Sequence, residues 1–155
     1  MTEEQASPFK LALRRVMGRL ARRDHTAQEL RTLLADVPEA VVEQVLQHCR
    51  QQGWLDEGRL LEQAVHSRAA RGQGPRKIAF ELGRRGLSDD GIREQLHAEE
   101  YDWCALAAQL AQRRQGTAPL DLAARRRLMG FLQRRGFSQD QIHYALSSLS
   151  KKGSP

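Results

Sequence analysis

Two segments fifty residues apart, ELGRRGLSDDGIREQL (81–96) and FLQRRGFSQDQIHYAL (131–146), carry nearly the same pattern. At that offset Ile78, Leu82, Gly86, Leu87, Ser88, Ile92 and Leu96 fall on Leu128, Leu132, Gly136, Phe137, Ser138, Ile142 and Leu146. An internal period of this length is the mark of a supersecondary unit that buries its apolar face by stacking on copies of itself. Shifted the other way, the period places Val37, Val42 and Leu46 on Leu87, Ile92 and Leu96, with Pro38 in place of the serine. The segment LLADVP has no Arg-Arg-Gly, so the first unit is divergent.

Within each unit the apolar spacing is helical. Leu11, Leu13, Val16, Met17 and Leu20 recur at three- and four-residue steps, leaving Arg14, Arg15, Arg19, Arg22 and Arg23 for the wet side. No strand-like alternation is sustained, and the fold class is all-α. Thr26 followed by Glu29 is a capping box, and Ser88 and Ser138 are N-cap candidates. Pro38 and Pro75 suit a helix first turn, and Gly53, Gly72, Gly86, Gly116 and Gly136 suit helix ends. These signals predict nine helices, at about 9–23, 27–35, 38–52, 57–71, 75–85, 89–99, 102–115, 121–135 and 139–149. The expected architecture is an elongated array of three tandem three-helix repeats: residues 1–55 with a short N-terminal tail, 56–100, and 101–155 with a short C-terminal tail.

Charge is uneven along the array. Residues 1–52 hold 8 Lys/Arg against 7 Asp/Glu, residues 53–100 hold 8 against 9, and residues 101–155 hold 9 against 3. The surplus of +6 therefore lies in the last third and favours an anionic partner there. Arg125, Arg126 and Arg127 span about 200° of a helix, so they cannot all face one partner.

A converging catalytic site leaves no trace: HExxH, GxSxG and GxxxxGK[ST] are absent. The histidines at 25, 48, 66, 97 and 143 are scattered and suit surfaces or helix ends. Cys49 and Cys104 lack the spacing of a zinc site or disulfide framework and are expected as buried small hydrophobes. No metal and no cofactor is expected. Trp54, Phe80, Trp103, Phe131 and Phe137 are assigned to packing between helices rather than to a stacking platform. The segment RGQGPRKI (71–78) has two readings: a phosphate-binding helix start with Arg76 and Lys77, or a cap at Gly72, a short turn and a helix opened by Pro75. RRG itself is explained by a glycine that ends a helix whose last-turn arginines complement its dipole. With no long apolar run and no basic-then-apolar start in MTEEQASPFK, a soluble, cytoplasmic protein without membrane contact is expected, as a monomer.

Taken in order, RRDHTAQEL (22–30), GWLDEGRL (53–60), SRAARGQGPRKIAFELGRRGL (67–87), DWCALA (102–107) and FLQRRGF (131–137) resemble the RecX family, regulators of the RecA recombinase, over nearly the whole chain. Two positions depart from that family's usual residues, Glu57 standing for a second aspartate after Asp56 and Leu60 for an aromatic after Arg59, while charge and apolar character are kept. The resemblance implies a non-enzymatic modulator that lodges in the helical groove of the RecA filament on DNA, blocking ATP turnover and strand exchange. Its partner would be the RecA nucleoprotein filament, with single- or double-stranded DNA in addition. Charge location selects Arg71, Arg76 and Lys77, then Arg113, Arg114, Arg125, Arg126, Arg127, Arg134 and Arg135, as the contact surface. The competing reading is a direct DNA-binding helix-turn-helix-like protein acting without RecA. Its recognition helix would carry Asp89, Asp90, Glu94 and Glu99 in the second repeat, or Gln139, Gln141 and His143 in the third.

Overall fold

The structure, a computed structural model, describes residues 7–152. The expected terminal tails fall outside the described residues. Among these the chain forms nine α-helices and no strand: α1 (Pro8–Leu20), α2 (Ala27–Leu33), α3 (Glu39–Gln51), α4 (Glu57–Ala70), α5 (Pro75–Arg84), α6 (Asp89–Leu96), α7 (Trp103–Gln115), α8 (Leu122–Arg135) and α9 (Gln139–Lys152). Every start but those of α3 and α5 is fixed by a side chain that accepts from a first-turn amide. Ser7, Asp56, Ser88, Asp102 and Asp121 cap α1, α4, α6, α7 and α8. Thr26 and Glu29 form the expected capping box on α2. On α9 Ser138 Oγ accepts from the Gln141 amide at 3.3 Å while Gln141 Oε1 accepts from the Ser138 amide at 2.8 Å, a second reciprocal cap. Pro38 sits one position earlier than a first-turn proline would, as the N-cap of α3.

Three separate cores follow. The first is built on Val16, Leu30, Leu34, Val45 and Leu46. The second is built on Val65, Ile78, Leu82 and Leu87, and the third on Leu128, Leu132, Phe137 and Leu146. Each is enclosed by three consecutive helices. Trp103 and Leu106 pack against both the second and the third, whereas the first and second share no residue. An accessible surface of 10159 Å² exceeds the roughly 7,900 Å² of a compact monomer of this length, as an extended array requires.

The middle helices α2, α5 and α8 meet end to end, and RRG makes both joints. At the end of α8, Arg135 O accepts from the Gly74 amide at 2.7 Å and Gly136 O from the Arg76 amide at 2.9 Å, so the carbonyl end of α8 serves the amide end of α5. At the end of α5, Arg85 O accepts from Thr26 Oγ1 at 2.5 Å, and the Arg85 guanidinium donates to Glu29 Oε1 at 3.0 Å and to Asp24 O at 3.2 Å. Both pairings bring a helix's negative end to the next helix's positive end. They also settle RGQGPRKI: two of the amides that would hold a phosphate are already taken by the third repeat, and the turn-and-cap reading holds.

Glycine is required at these joints for two reasons. Gly136 has φ +98°, and a Cβ there would lie 2.4 Å from Lys77 Cβ and 2.6 Å from the Lys77 nitrogen. Gly86 has φ +94°, and a Cβ would lie 2.4 Å from Gln28 Cβ. Gly53 shares the positive φ but opens on empty space. Gly53→Ala therefore tests backbone cost alone, about 1–2 kcal/mol. Gly136→Ala and Gly86→Ala add a backbone or Cβ collision and should each cost at least about 3 kcal/mol. Thermal denaturation followed by circular dichroism distinguishes them, and equal melting temperatures for Gly53→Ala and Gly136→Ala would refute the close-approach argument.

Candidate interaction surface

The ten basic residues selected by charge lie at the ends of α4, α7 and α8, at the start of α5 and along the first half of α8. Six gather around the joint between the second and third repeats. Arg71 ends α4, and its carbonyl accepts from Arg135 Nη1 at 3.4 Å. The Arg114 and Arg135 guanidinium groups lie 4.2 and 5.4 Å from the centre of the Phe131 ring, fastening the end of α7 to α8 through cation–π contacts. Lys77 is half-buried against Gly136, while Arg76 and Arg134 are exposed. Arg135 thus has its backbone and its side chain engaged in the joint, and Arg134 faces solvent.

Arg113 is exposed in the last turn of α7. The remaining three residues lie in the first half of α8. Arg125 is half-buried and donates to Ser150 Oγ at 3.3 Å, whereas Arg126 and Arg127 are exposed. Among the described residues none of the ten forms a salt bridge. The carboxylates that do form them are Glu29, Asp36, Glu39, Glu43 and Glu81, all in the first two repeats.

Several expectations need correction. Phe80 is 65% exposed and Trp54 38% exposed, so neither is core. The helical wheel explains Phe80: it is two residues from both Ile78 and Leu82, the buried pair of α5, and so points away from them. Cys104 is half-buried, unlike the buried Cys49, and burial pushes both thiols up. His25 is buried, with Nδ1 2.9 Å from the Arg23 carbonyl oxygen.

A second cationic area went unnoticed because net charge near zero concealed it. Arg19 and Arg23 of the α1 end and Arg84 of α5 line one concavity of about 420 Å³ with His25, Gln28 and Glu29. Burial pushes the Glu29 carboxyl up, but hydrogen bonds from Arg85 and the Thr26 amide, with the charges of Arg85 and Arg23, outweigh it and hold the carboxyl below its ordinary value. Glu29 is shared between Arg85 of the joint and Arg23, whose Nη2 lies 3.5 Å from its Oε2, which leaves Arg19 and Arg84 as the concavity's cations without an acidic partner among the described residues. On the opposite account, α6 exposes Asp89, Asp90 and Glu94, a poor surface for phosphates, while α9 exposes His143 and Tyr144.

Residues 56–96 match the profile of the second three-helix domain of RecX, and residues 100–146 that of the third. Regulatory protein RecX of Halorhodospira halophila is 45% identical over 132 residues, which cover 83% of this chain and 82% of that protein. The chain belongs to the RecX family. Regulatory protein RecX of Xanthomonas axonopodis is 39% identical over 159 residues, covering 94% of this chain and 96% of that one. The fold agrees: the crystal structure of RecX from Lactobacillus salivarius superposes with a TM-score of 0.80 at 17% identity, covering 92% of this chain and 97% of that one. This RecX chain is therefore a member of a family of regulatory proteins. Among the described residues no helix is long and apolar enough to cross a membrane.

The depressed Glu29 carboxyl gives the first joint an acid dependence. A group whose pKa is lower folded than unfolded contributes stability above its unfolded value, near 4.5 here, and loses that contribution as pH falls through its folded value. Glu29→Gln should cost about 1–2 kcal/mol at neutral pH. Between pH 5 and pH 3 its melting temperature should fall by less than the wild type's. Parallel acid titration curves for the two proteins would remove Glu29 from the joint's energetics.

Proposed function

We propose that this chain is a non-enzymatic regulator that lies in the helical groove of the RecA filament on DNA and slows ATP turnover and strand exchange. The reading is carried by the chain's membership of RecX together with an extended array whose last repeat holds arginines without acidic partners among the described residues. An extended body with such a surface is suited to follow a long groove rather than to enclose a small substrate. Cations left unpaired are available to a polyanionic assembly, both for steering and for contact. Arg113, Arg114, Arg126, Arg127 and Arg134 are the exposed contact candidates of the last repeat, and Arg71 and Arg76 those of the second. Lys77, Arg125 and Arg135, each half-buried, act mainly by holding the surface in shape, through the contacts with Gly136, Ser150 and Phe131. The setting is the cytoplasm, where RecA and chromosomal DNA meet.

Substoichiometric purified protein should lower the DNA-dependent ATP hydrolysis of RecA, and an unaltered rate with no filament binding would sink the reading. The double variant Arg126→Glu, Arg127→Glu should keep the wild-type melting temperature, because both side chains are exposed. Its filament affinity should drop roughly tenfold, about 1.4 kcal/mol. Added salt should weaken the wild type in the same direction. Unchanged affinity in the folded variant would place the contact elsewhere on the array.

A further inference from the structure

We infer that the outer face of α5 is a stacking site for single-stranded nucleic acid, with Phe80 as the platform for a base and Arg76 and Arg84 as phosphate contacts. Phe80 is 65% exposed in the middle of a helix and contributes nothing to the core beneath it. A lone exposed apolar residue is ordinary. What sets this one apart is its surroundings. Arg76 and Arg84 stand one turn before and one turn after it on the same stripe, both exposed and without an acidic partner among the described residues. The Arg84 guanidinium lies 5.8 Å from the ring centre. Glu81, the carboxylate of this helix, is turned to Arg68 of α4.

Gly83 lies beside the ring and is not required by packing: a Cβ there would meet nothing within 4 Å. It leaves the helix surface flat next to Phe80, where a planar group can approach. The cationic surface continues past Arg84 into the concavity it shares with Arg19. A ring flanked by unpaired arginines matches a ligand with alternating planar and anionic parts, which is a nucleic-acid strand. A protein contact of this size would place the aromatic inside an apolar patch. Here the other exposed large hydrophobics, Leu11, Met17, Trp54, Leu122, Met129 and Tyr144, belong to other elements. At the same register α8 has Arg126, Gly130 and Arg134, the flanking cations without a ring. The stacking site is thus particular to α5. A duplex keeps its base faces covered, so the site selects unpaired strands.

This inference deepens the filament reading and rests on it for the presence of DNA, but its test needs no RecA. Fluorescence anisotropy with a labelled oligothymidylate at low salt should show binding by the wild type. Phe80→Ala and Phe80→Leu should each weaken it roughly tenfold, and Phe80→Trp should restore it. Arg76→Glu with Arg84→Glu should weaken it further and flatten its salt dependence. A duplex of equal length should be insensitive to Phe80→Ala. Absence of oligothymidylate binding by the wild type, or an affinity that Phe80→Ala leaves unchanged, would overturn the inference. So would Phe80→Leu binding like the wild type, or a filament-binding loss in Phe80→Ala with strand binding intact, since both would make the ring a protein contact. Phe80-dependent strand binding by a protein that does not slow RecA's ATP hydrolysis would leave the inference standing and remove the filament reading instead.

Discussion

The array depends on a transfer of hydrogen bonds between helix ends that belong to different repeats. Every α-helix leaves its first amides and last carbonyls without internal partners. In α5 the N-cap is Gly74, which has no side chain to offer, and the amides of Gly74 and Arg76 are met by the carbonyls of Arg135 and Gly136. The third repeat thereby caps the second. At α8, whose start no other repeat meets among the described residues, Asp121 supplies an ordinary side-chain cap. The same logic makes the positive φ of Gly86 and Gly136 inseparable from their missing Cβ. The conformation ends the helix, and the bare Cα lets the next helix start come within touching distance.

The two joints share a geometry and differ in chemistry. Gln28 stands to Gly86 as Lys77 stands to Gly136. The second joint adds apolar contact, with Trp103 and Leu106 packed against two cores and Leu110 against Gly72. The first is held by the Thr26 hydroxyl and the Arg85–Glu29 pair, side chains less than a quarter exposed. Polar side-chain contacts weaken with salt and acid, whereas backbone and apolar contacts respond little. The first repeat is therefore the one whose placement on the array responds to solution conditions.

Helix ends were legible in the sequence because they are local: a capping serine or threonine and a glycine lie within a turn of the boundary they set. The repeat was legible because its period is regular. The joints were not, since Arg85 and Thr26 are 59 residues apart and the Gly74 and Arg76 bonds of the second joint involve only backbone atoms. Phe80 was misplaced for a different reason. Residue type predicted burial, while its spacing from Ile78 and Leu82 already placed it on the far side of the helix. Of the RRG arginines, both of which looked available, the second of each pair turns inward to the joint and the first remains at the surface.

That division also changes what net charge means for the middle of the chain. Its 8 basic and 9 acidic residues over 53–100 nearly cancel in number, yet α5 and α6 differ in the charge they expose. Asp89, Asp90 and Glu94 are exposed on α6 with one cation, Arg93, among them, and Glu62 and Glu100 line a concavity with Arg59 and Tyr101. Glu81 is consumed by Arg68, and Arg76 and Arg84 remain unopposed on α5. A unit with such separated charges has little monopole but a definite orientation in the field of a polyanion. In the field of a polyanion, attraction of α5 and repulsion of α6 would favour the same orientation of the repeat. On the filament proposal the basic third repeat would supply the pull, and the charge arrangement of the second repeat would set which side faces the phosphates.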